Sequence, residues 1–181
     1  MTMTILERYD VTALIGLPVI VLHSAWEIVE TKEDGESQTR VHVPDPETLA
    51  AAATILRCLM PRRLRGAEIR AIRKILGMTA RDLSEAMGQY TAAETISRWE
   101  TDKVTPGGYS EKLLRLTACE LLKARAPDIE YDAQDLIRTP MVDIDRASPM
   151  TSDPRIEMRR VRVQKPDLTV DASWVETKLA A

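Results

Sequence analysis

Polar side chains in the segment 91–100 have the residue types and the helical spacing that suit contacts with a DNA duplex. The first turn and outward face of a helix here would carry Thr91, Ala93, Glu94, Ser97 and Arg98. The major groove admits one helix and displays a distinct donor and acceptor pattern for each base pair. Arg98 is the leading candidate for a contact with phosphate or guanine. A solvated helix face is the alternative for each of these residues, and Glu94 could instead act only as a capping partner.

Further hydroxyl and basic groups flank this segment. Thr79 and Arg81 open the preceding helical pattern and are expected near phosphates. Lys103 lies in the loop that follows. An arginine cluster precedes them, made up of Arg62, Arg63 and Arg65. These arginines could lie on the phosphate backbone, enter a minor groove where the negative potential attracts cations, or form a solvated linker.

Three short helices, separated by glycines, are predicted to position these groups. In the first, Ile69, Ile72 and Leu76 form an apolar stripe, which leaves an exposed face with Arg70, Arg73 and Lys74. Gly77 and Gly88 are expected to end the first and second helices. Thr79 would cap the second helix with Asp82 as an imperfect capping partner, and Thr91 with Glu94 would form the capping box of the third. The predicted inward residues of these two helices are Leu83, Ala86, Met87, Ala92, Trp99 and either Thr95 or Ile96.

The order of these residues resembles the XRE, lambda-repressor-like, helix-turn-helix regulators. More narrowly, GAEIRAIRKILG together with TISRWE is similar to the MqsA-like antitoxin regulators, over residues 67–122. The resemblance implies base contacts at Glu94 and Thr95 and repression of the protein's own operon. One short recognition helix reads few base pairs, so a homodimer on an inverted repeat of double-stranded DNA is expected. A cognate toxin is a further candidate partner, and the alternative function is therefore a protein-binding inhibitor acting through its N-terminal module or C-terminal tail.

Three features depart from the family pattern. The interval from Gly88 to Ile96 is two residues longer than the usual turn, so the recognition helix is entered through a longer loop or begins earlier. Ala80 stands where many members carry a DNA-contacting glutamine. The chain also has no CxxC motif, so the zinc site of the MqsA-like N-terminal module is not expected.

Charge is divided unevenly along the chain. Residues 62–125 contain 13 basic and 8 acidic residues, whereas residues 1–61 contain 4 and 9 and residues 126–181 contain 8 and 11. A local basic excess is the usual electrostatic footprint of a DNA-binding domain. The sequence predicts neither a signal peptide nor a membrane span, so a cytoplasmic location is expected. Cys58 and Cys119 are predicted to be buried free thiols.

The sequence offers little for catalysis. His23 and His42 are isolated, and no cysteine and histidine cluster has metal-ligand spacing. No nucleophile, base and orienting group occur together, so neither an enzyme nor a cofactor or metal site is expected.

The flanking regions predict an α+β chain in three parts: a hairpin and helix module (1–61), an all-α lambda-repressor-like helix-turn-helix bundle (62–125) and an acidic, irregular extension (126–181). A hairpin with an Asp34-Gly35 turn would pair Trp26 with Val43 and Ile28 with Val41. Residues 1–10 are expected to be mobile. A helix is expected to begin at Asp45-Pro46-Glu47 and end at Pro61. A later helix within 110–125 would face inward through Leu113, Leu114, Leu121 and either Leu116 or Thr117, and the extension would hold one strand with a bulge near Arg159.

Overall fold

A computed structural model describes residues 2–31, 36–164 and 170–177 and shows a mixed fold of helices and one sheet. The predicted α+β class is therefore confirmed. The strands are β1 (Thr2–Asp10), β2 (Val19–Thr31), β3 (Ser37–His42), β4 (Ile156–Gln164) and β5 (Val170–Glu176). The helices are α1 (Thr12–Ile15), α2 (Pro46–Leu59), α3 (Gly66–Ile75), α4 (Ala80–Ala86), α5 (Ala93–Glu100), α6 (Gly108–Leu122) and α7 (Ala133–Arg138), with a 3-10 turn at Met150–Ser152.

The long strand β2 organises the sheet. It pairs antiparallel with β1 along most of its length and with β3 over its second half. Its first residues pair in parallel with β4, which in turn pairs antiparallel with β5. The predicted C-terminal strand is thus confirmed as β4, but β4 and β5 belong to the same sheet as the N-terminal strands. The described strands of the C-terminal region, β4 and β5, are therefore part of the main sheet.

The predicted hairpin is present, but its strands pair one residue away from the predicted register. Trp26 lies opposite His42, not Val43, and Ile28 lies opposite Arg40, not Val41. The Trp26 and His42 rings are in contact, with centroids 5.7 Å apart. The predicted register assumed a two-residue turn, which leaves an even number of residues between paired positions. The last described pair, Thr31 with Ser37, has an odd number of residues between its members. Asp34-Gly35 lies outside the described residues.

Two further strand predictions are corrected. Residues 2–10 form β1 and are not a mobile start, since they pair with β2 from Thr2 to Asp10. No bulge occurs near Arg159, because the β4 and β5 pairs run without a shift on both sides of it. Ile156 and Met158 face the core from one side of a continuous strand, and Val161 lies half-buried on the other side. The apolar residues of β4 therefore change from even to odd positions because they lie on two different faces of the sheet.

Helix α2 packs against the sheet on one side and against α6 on the other. It begins as predicted, because the Asp45 carboxylate accepts a hydrogen bond from the Thr48 amide and Pro46 occupies the first turn. Trp174 from β5 is fully buried and its indole N–H donates to the Asp45 carbonyl. The α6 prediction is partly wrong: Leu114, Ala118 and Leu122 face inward, whereas Leu121 is exposed. Cys58 and Cys119 are buried and free, as predicted.

A buried ionic network fastens α2 to the start of α3 and to α6. The Arg57 guanidinium forms a two-point pair with Glu68, at 2.6 and 2.9 Å, and also donates to the Arg62 and Arg63 carbonyls. Glu111 accepts from the Leu64 amide and from Arg115. The connector between α2 and α3 is therefore held on both sides by buried charges. No helix in the described part of the chain is long and apolar enough to cross a bilayer.

Candidate nucleic-acid interface

Local sequence signals define α3 and α4 as expected. Gly77 follows α3 with φ +71° and Gly88 follows α4 with φ +75°, a left-handed conformation that glycine adopts without strain. The Thr79 side chain accepts from the Asp82 amide, and the Asp82 carboxylate accepts from the Thr79 amide. The capping box of α4 is thus complete, with aspartate in place of the usual glutamate. Leu83 and Met87 are buried as predicted, whereas Ala86 is exposed.

The start of α5 differs from the prediction. Its N-cap is Ala92, which offers no side-chain cap, and the expected capping box of Thr91 with Glu94 is absent. Thr91 is buried and its carbonyl accepts a hydrogen bond from the Ser84 hydroxyl of α4. This bond stabilises the turn between α4 and α5, so Thr91 does not belong to the outward face. Ala92, predicted to be buried, is exposed.

Helix α5 is held from behind by apolar and ionic contacts. Trp99 is buried, as expected from its spacing, and of the two alternatives Thr95 and Ile96 the structure buries Ile96. Glu100 forms a two-point pair with Arg73 and lies 3.5 Å from Arg70, so both arginines of α3 point toward α5. The prediction that Arg73 is exposed is corrected, since its guanidinium is largely covered by this pair. The orientation of α5 relative to α3 is therefore fixed at its C-terminal end.

Gly66, the first residue of α3, allows the backbones of α3 and α5 to meet. A Cβ atom at this position would lie 2.4 Å from the Trp99 carbonyl oxygen and 2.8 Å from the Glu100 carbonyl carbon. These are backbone atoms, which cannot turn aside as a flexible side chain could. The Gly66 amide also donates to Asp102, just beyond α5.

Substitution of Gly66 with alanine is expected to lower the free energy of unfolding by about 1–3 kcal/mol, because two helices must separate to admit the methyl group. Gly107→Ala is the matched control, since a Cβ atom added at Gly107 would meet no atom within 4 Å beyond its chain neighbours and the φ angle of Gly107 is negative. Urea unfolding of both variants measures the effect. Equal stability of the two variants would contradict the assigned role of Gly66.

The outward face of α5 carries three of the predicted residues: Glu94, Ser97 and Arg98 are exposed, whereas Ala93 and Thr95 are half-buried. The Ser97 hydroxyl donates to the Ala93 carbonyl. Within the described residues, the Arg98 guanidinium and the Lys103 ammonium have no acidic partner. Both cations are thus free to meet an anionic ligand.

Thr79 and Arg81 are exposed at the start of α4, as predicted, but the side chain of each already contacts another side chain. Thr79 is engaged in the capping box, and Arg81 pairs with Glu85 one turn later at 3.0 Å. Both side chains of the Arg81–Glu85 pair are exposed. Because such pairs contribute less than about 1 kcal/mol to stability, a phosphate could displace Glu85.

The arginine cluster before α3 is turned inward, which differs from all three sequence-based interpretations of it. Arg65 is buried, and its guanidinium pairs with Asp153 at 2.6 and 3.0 Å. Arg62 also pairs with Asp153, and Arg63 pairs with Glu111 and Asp143. Carboxylates of the C-terminal third thus neutralise these arginines, which form neither a solvated linker nor a DNA-facing group in this structure.

The pairing of Asp153 with Arg65 should make stability depend on pH. The hydrogen bond from Arg65 holds the pKa of Asp153 below its usual range, despite partial burial. A depressed pKa in the folded state gives stability that is present at neutral pH and lost as the pH falls below about 4. The difference in unfolding free energy between the native chain and Asp153→Asn should therefore shrink on acidification. A constant difference between pH 7 and pH 3 would contradict this, and Glu130→Gln provides an exposed control.

The basic excess of residues 62–125 is not a basic surface. At least eight of its cations are in ion pairs, namely Arg62, Arg63, Arg65, Arg70, Arg73, Arg81, Arg115 and Lys123. Regional charge counted from the sequence therefore overstates the positive potential at α5. The geometry of α4 and α5 is the stronger indication of a binding surface.

Two exposed residues of the turn between α4 and α5 were not among the predicted contact residues. Gln89 adopts a left-handed conformation with φ +61° and is exposed. Tyr90 is 79% exposed, and its ring lies close to Gly88. An aromatic side chain held out at the tip of this turn can stack or donate a hydrogen bond. The position of Tyr90 two residues after the helix-ending Gly88 was the available signal.

Side chains that bind metal ions are not clustered in the described residues. They contain no group of three or more histidine, cysteine, aspartate or glutamate side chains that could hold a metal ion. His23 and His42 are both exposed and lie on different strands of the hairpin region. Comparison with known proteins gave no match to a family model, to a curated sequence or to a solved structure.

Proposed function

We propose that this chain is a sequence-specific regulator that binds double-stranded DNA through a helix-turn-helix formed by α4 and α5. One observation carries the proposal: α5 is anchored from behind by Ile96 and Trp99 while Glu94, Ser97 and Arg98 face solvent. A recognition helix needs a buried apolar face that fixes its position and an exposed polar face, because base edges are contacted by side chains in fixed positions. The resemblance to lambda-repressor-like proteins and their antitoxin members supports repression of the protein's own operon in the cytoplasm.

A homodimer is part of this proposal, and one exposed apolar surface suits it. Met3 and Ile5 of the edge strand β1 are 62% and 57% exposed. They lie directly opposite Ile28 and Trp26 of β2, so the four side chains share one sheet face. We call these four residues the apolar sheet face. An edge strand beside an apolar patch favours a two-fold contact with a second copy.

Fluorescence anisotropy with a labelled duplex from upstream of the gene tests DNA binding, with a scrambled duplex as control. We expect tighter binding to the upstream duplex. Arg98 and Lys103 give four unpaired cations in a dimer, so the logarithm of affinity should fall with the logarithm of salt concentration with a slope of about −4. Equal affinity for the two duplexes would refute sequence-specific binding.

Ile5→Glu is expected to convert the dimer into a monomer, because a carboxylate would be desolvated at the centre of the apolar sheet face. Light scattering coupled to size exclusion measures the mass. Ile137→Glu is the control, since Ile137 is also an exposed apolar residue but lies on α7. A dimer that persists in Ile5→Glu would place the contact elsewhere.

The same surface also supports the second candidate function, an antitoxin-type inhibitor of a partner protein. In that case the purified chain would be a monomer with a free apolar sheet face, and Ile5→Glu would abolish binding to the product of the neighbouring gene. Solution mass therefore shows whether a second copy covers this face, and the two functions can both hold. The C-terminal third is a weaker candidate for partner binding, because β4 and β5 are built into the sheet.

A further inference from the structure

A groove of about 700 Å³ lies between α1, the start of α2 and α3, and none of its lining residues belongs to α4 or α5. Its walls include small side chains, Ala13, Ala50, Ala67 and Ala71, and these leave the space open. Leu14 and Ile75 add larger apolar surface. Binding sites for small molecules typically have volumes of about 300–1,000 Å³ and a mostly apolar lining with a few placed polar groups.

The polar groups of the groove are mainly cationic. Arg70, Lys74 and Arg125 line it, against a single carboxylate, Glu47. The Lys74 ammonium is exposed and has no hydrogen-bonding or acidic partner in the part of the chain that the structure describes. Arg70 is partly committed, since it lies 3.5 Å from Glu100. An excess of positive charge beside an apolar wall favours a ligand that combines an anion with an apolar body.

Arg125 is held in place at one end of the groove. Its guanidinium donates to the Ile75 carbonyl at the end of α3 at 2.8 Å and to the Glu47 carbonyl at 3.4 Å. Backbone carbonyls fix the position of this group without cancelling its charge as a carboxylate would. A preorganised cation of this kind costs little further ordering when it meets an anion.

From this arrangement we propose that the groove binds a small amphipathic carboxylate, with its apolar part against Ala67 and Leu14 and its carboxylate facing Lys74 and Arg125. The site is separate from the proposed DNA surface and does not depend on DNA binding. A neutral apolar molecule would not contact the cations of the groove, and a free inorganic anion would not cover its apolar wall.

Isothermal titration calorimetry of the full chain tests the site, with decanoate as the carboxylate below its critical micelle concentration. Decan-1-ol and inorganic phosphate serve as half-matching comparisons. We expect saturable binding of one decanoate per chain, with decan-1-ol and phosphate at least about 5-fold weaker, the scale of a partly exposed charge contact. Absence of decanoate binding up to millimolar concentration, or equal affinity for decan-1-ol, would overturn the proposal.

Two exposed positions locate the binding. Ala67→Phe should weaken decanoate binding at least about 10-fold, because the ring would occupy the groove, and Lys74→Gln should weaken it about 5-fold. Arg138→Gln removes an exposed cation from α7 and should leave the affinity unchanged. Circular dichroism and urea unfolding of each variant show whether the fold is retained. Native-like decanoate affinity in a folded Ala67→Phe variant would refute this location.

Discussion

Replacing Arg98 with alanine is expected to weaken binding to the upstream duplex by about 100-fold. The guanidinium is exposed on α5 beside buried Trp99 and has no acidic partner among the described residues, so alanine removes a contact without disturbing the core. Loss of one arginine contact to DNA costs about 1–3 kcal/mol, and a symmetric dimer loses two of them. The change in affinity should therefore exceed that of any single charge removed elsewhere on the surface.

Anisotropy titrations of Arg98→Ala and Arg138→Ala, at one salt concentration, measure this effect against a matched loss of charge. Arg138 lies in the last turn of α7 and is also exposed. If Arg98 contacts guanine, Arg98→Ala should also lower the ratio of affinities for the upstream and scrambled duplexes. If it contacts phosphate, both affinities should fall together and the salt slope should become shallower. Native affinity in Arg98→Ala would remove α5 from the proposed interface.

Replacing Glu68 with glutamine is expected to destabilise the chain by about 3–5 kcal/mol, which is a large part of the stability of a typical domain. Glu68 is completely buried, and both of its oxygens accept from Arg57. Glutamine has nearly the same shape but carries no charge, so Arg57 would remain as an uncompensated buried cation. One Glu68 oxygen also accepts from the Arg65 amide, and an amide nitrogen placed there could not accept this bond.

Urea unfolding should give a much lower midpoint for Glu68→Gln than for Glu30→Gln. The Glu30 carboxylate pairs with Arg40 on the surface, where a pair contributes less than about 1 kcal/mol. The double variant Arg57→Met, Glu68→Leu should recover part of the loss, because it leaves no buried charge. Recovery would be incomplete, since the Arg63 carbonyl loses its side-chain donor and the Arg62 carbonyl keeps only Arg115. A similar midpoint for the two single variants would show that the buried pair is dispensable.

Sequence patterns predicted the elements that depend on neighbouring residues. The capped start of α2 at Asp45, the capping box of α4 and the glycine ends of α3 and α4 were all found as expected. Helical spacing alone predicted the buried Trp99 of the proposed recognition helix. It left either Thr95 or Ile96 as a further inward residue, and the structure buries Ile96. Even locally, a competing contact can override the pattern: Thr91 is buried and its carbonyl is bonded to Ser84, so it does not cap α5.

Tertiary structure alone decided which charges are available and which strands are neighbours. Arg65 meets Asp153 across 88 positions of sequence, and β2 meets β4 across more than a hundred. No local pattern specifies such partners, because an arginine has the same helix preference whether it faces solvent or a distant carboxylate. The hairpin register is a similar case, since one residue more or less in the connection moves each side chain to the opposite face. Helix ends were thus determined by hydrogen bonds between residues a few positions apart. Which charges are exposed and which strands share the sheet were determined by long-range contacts that exist only in the folded chain.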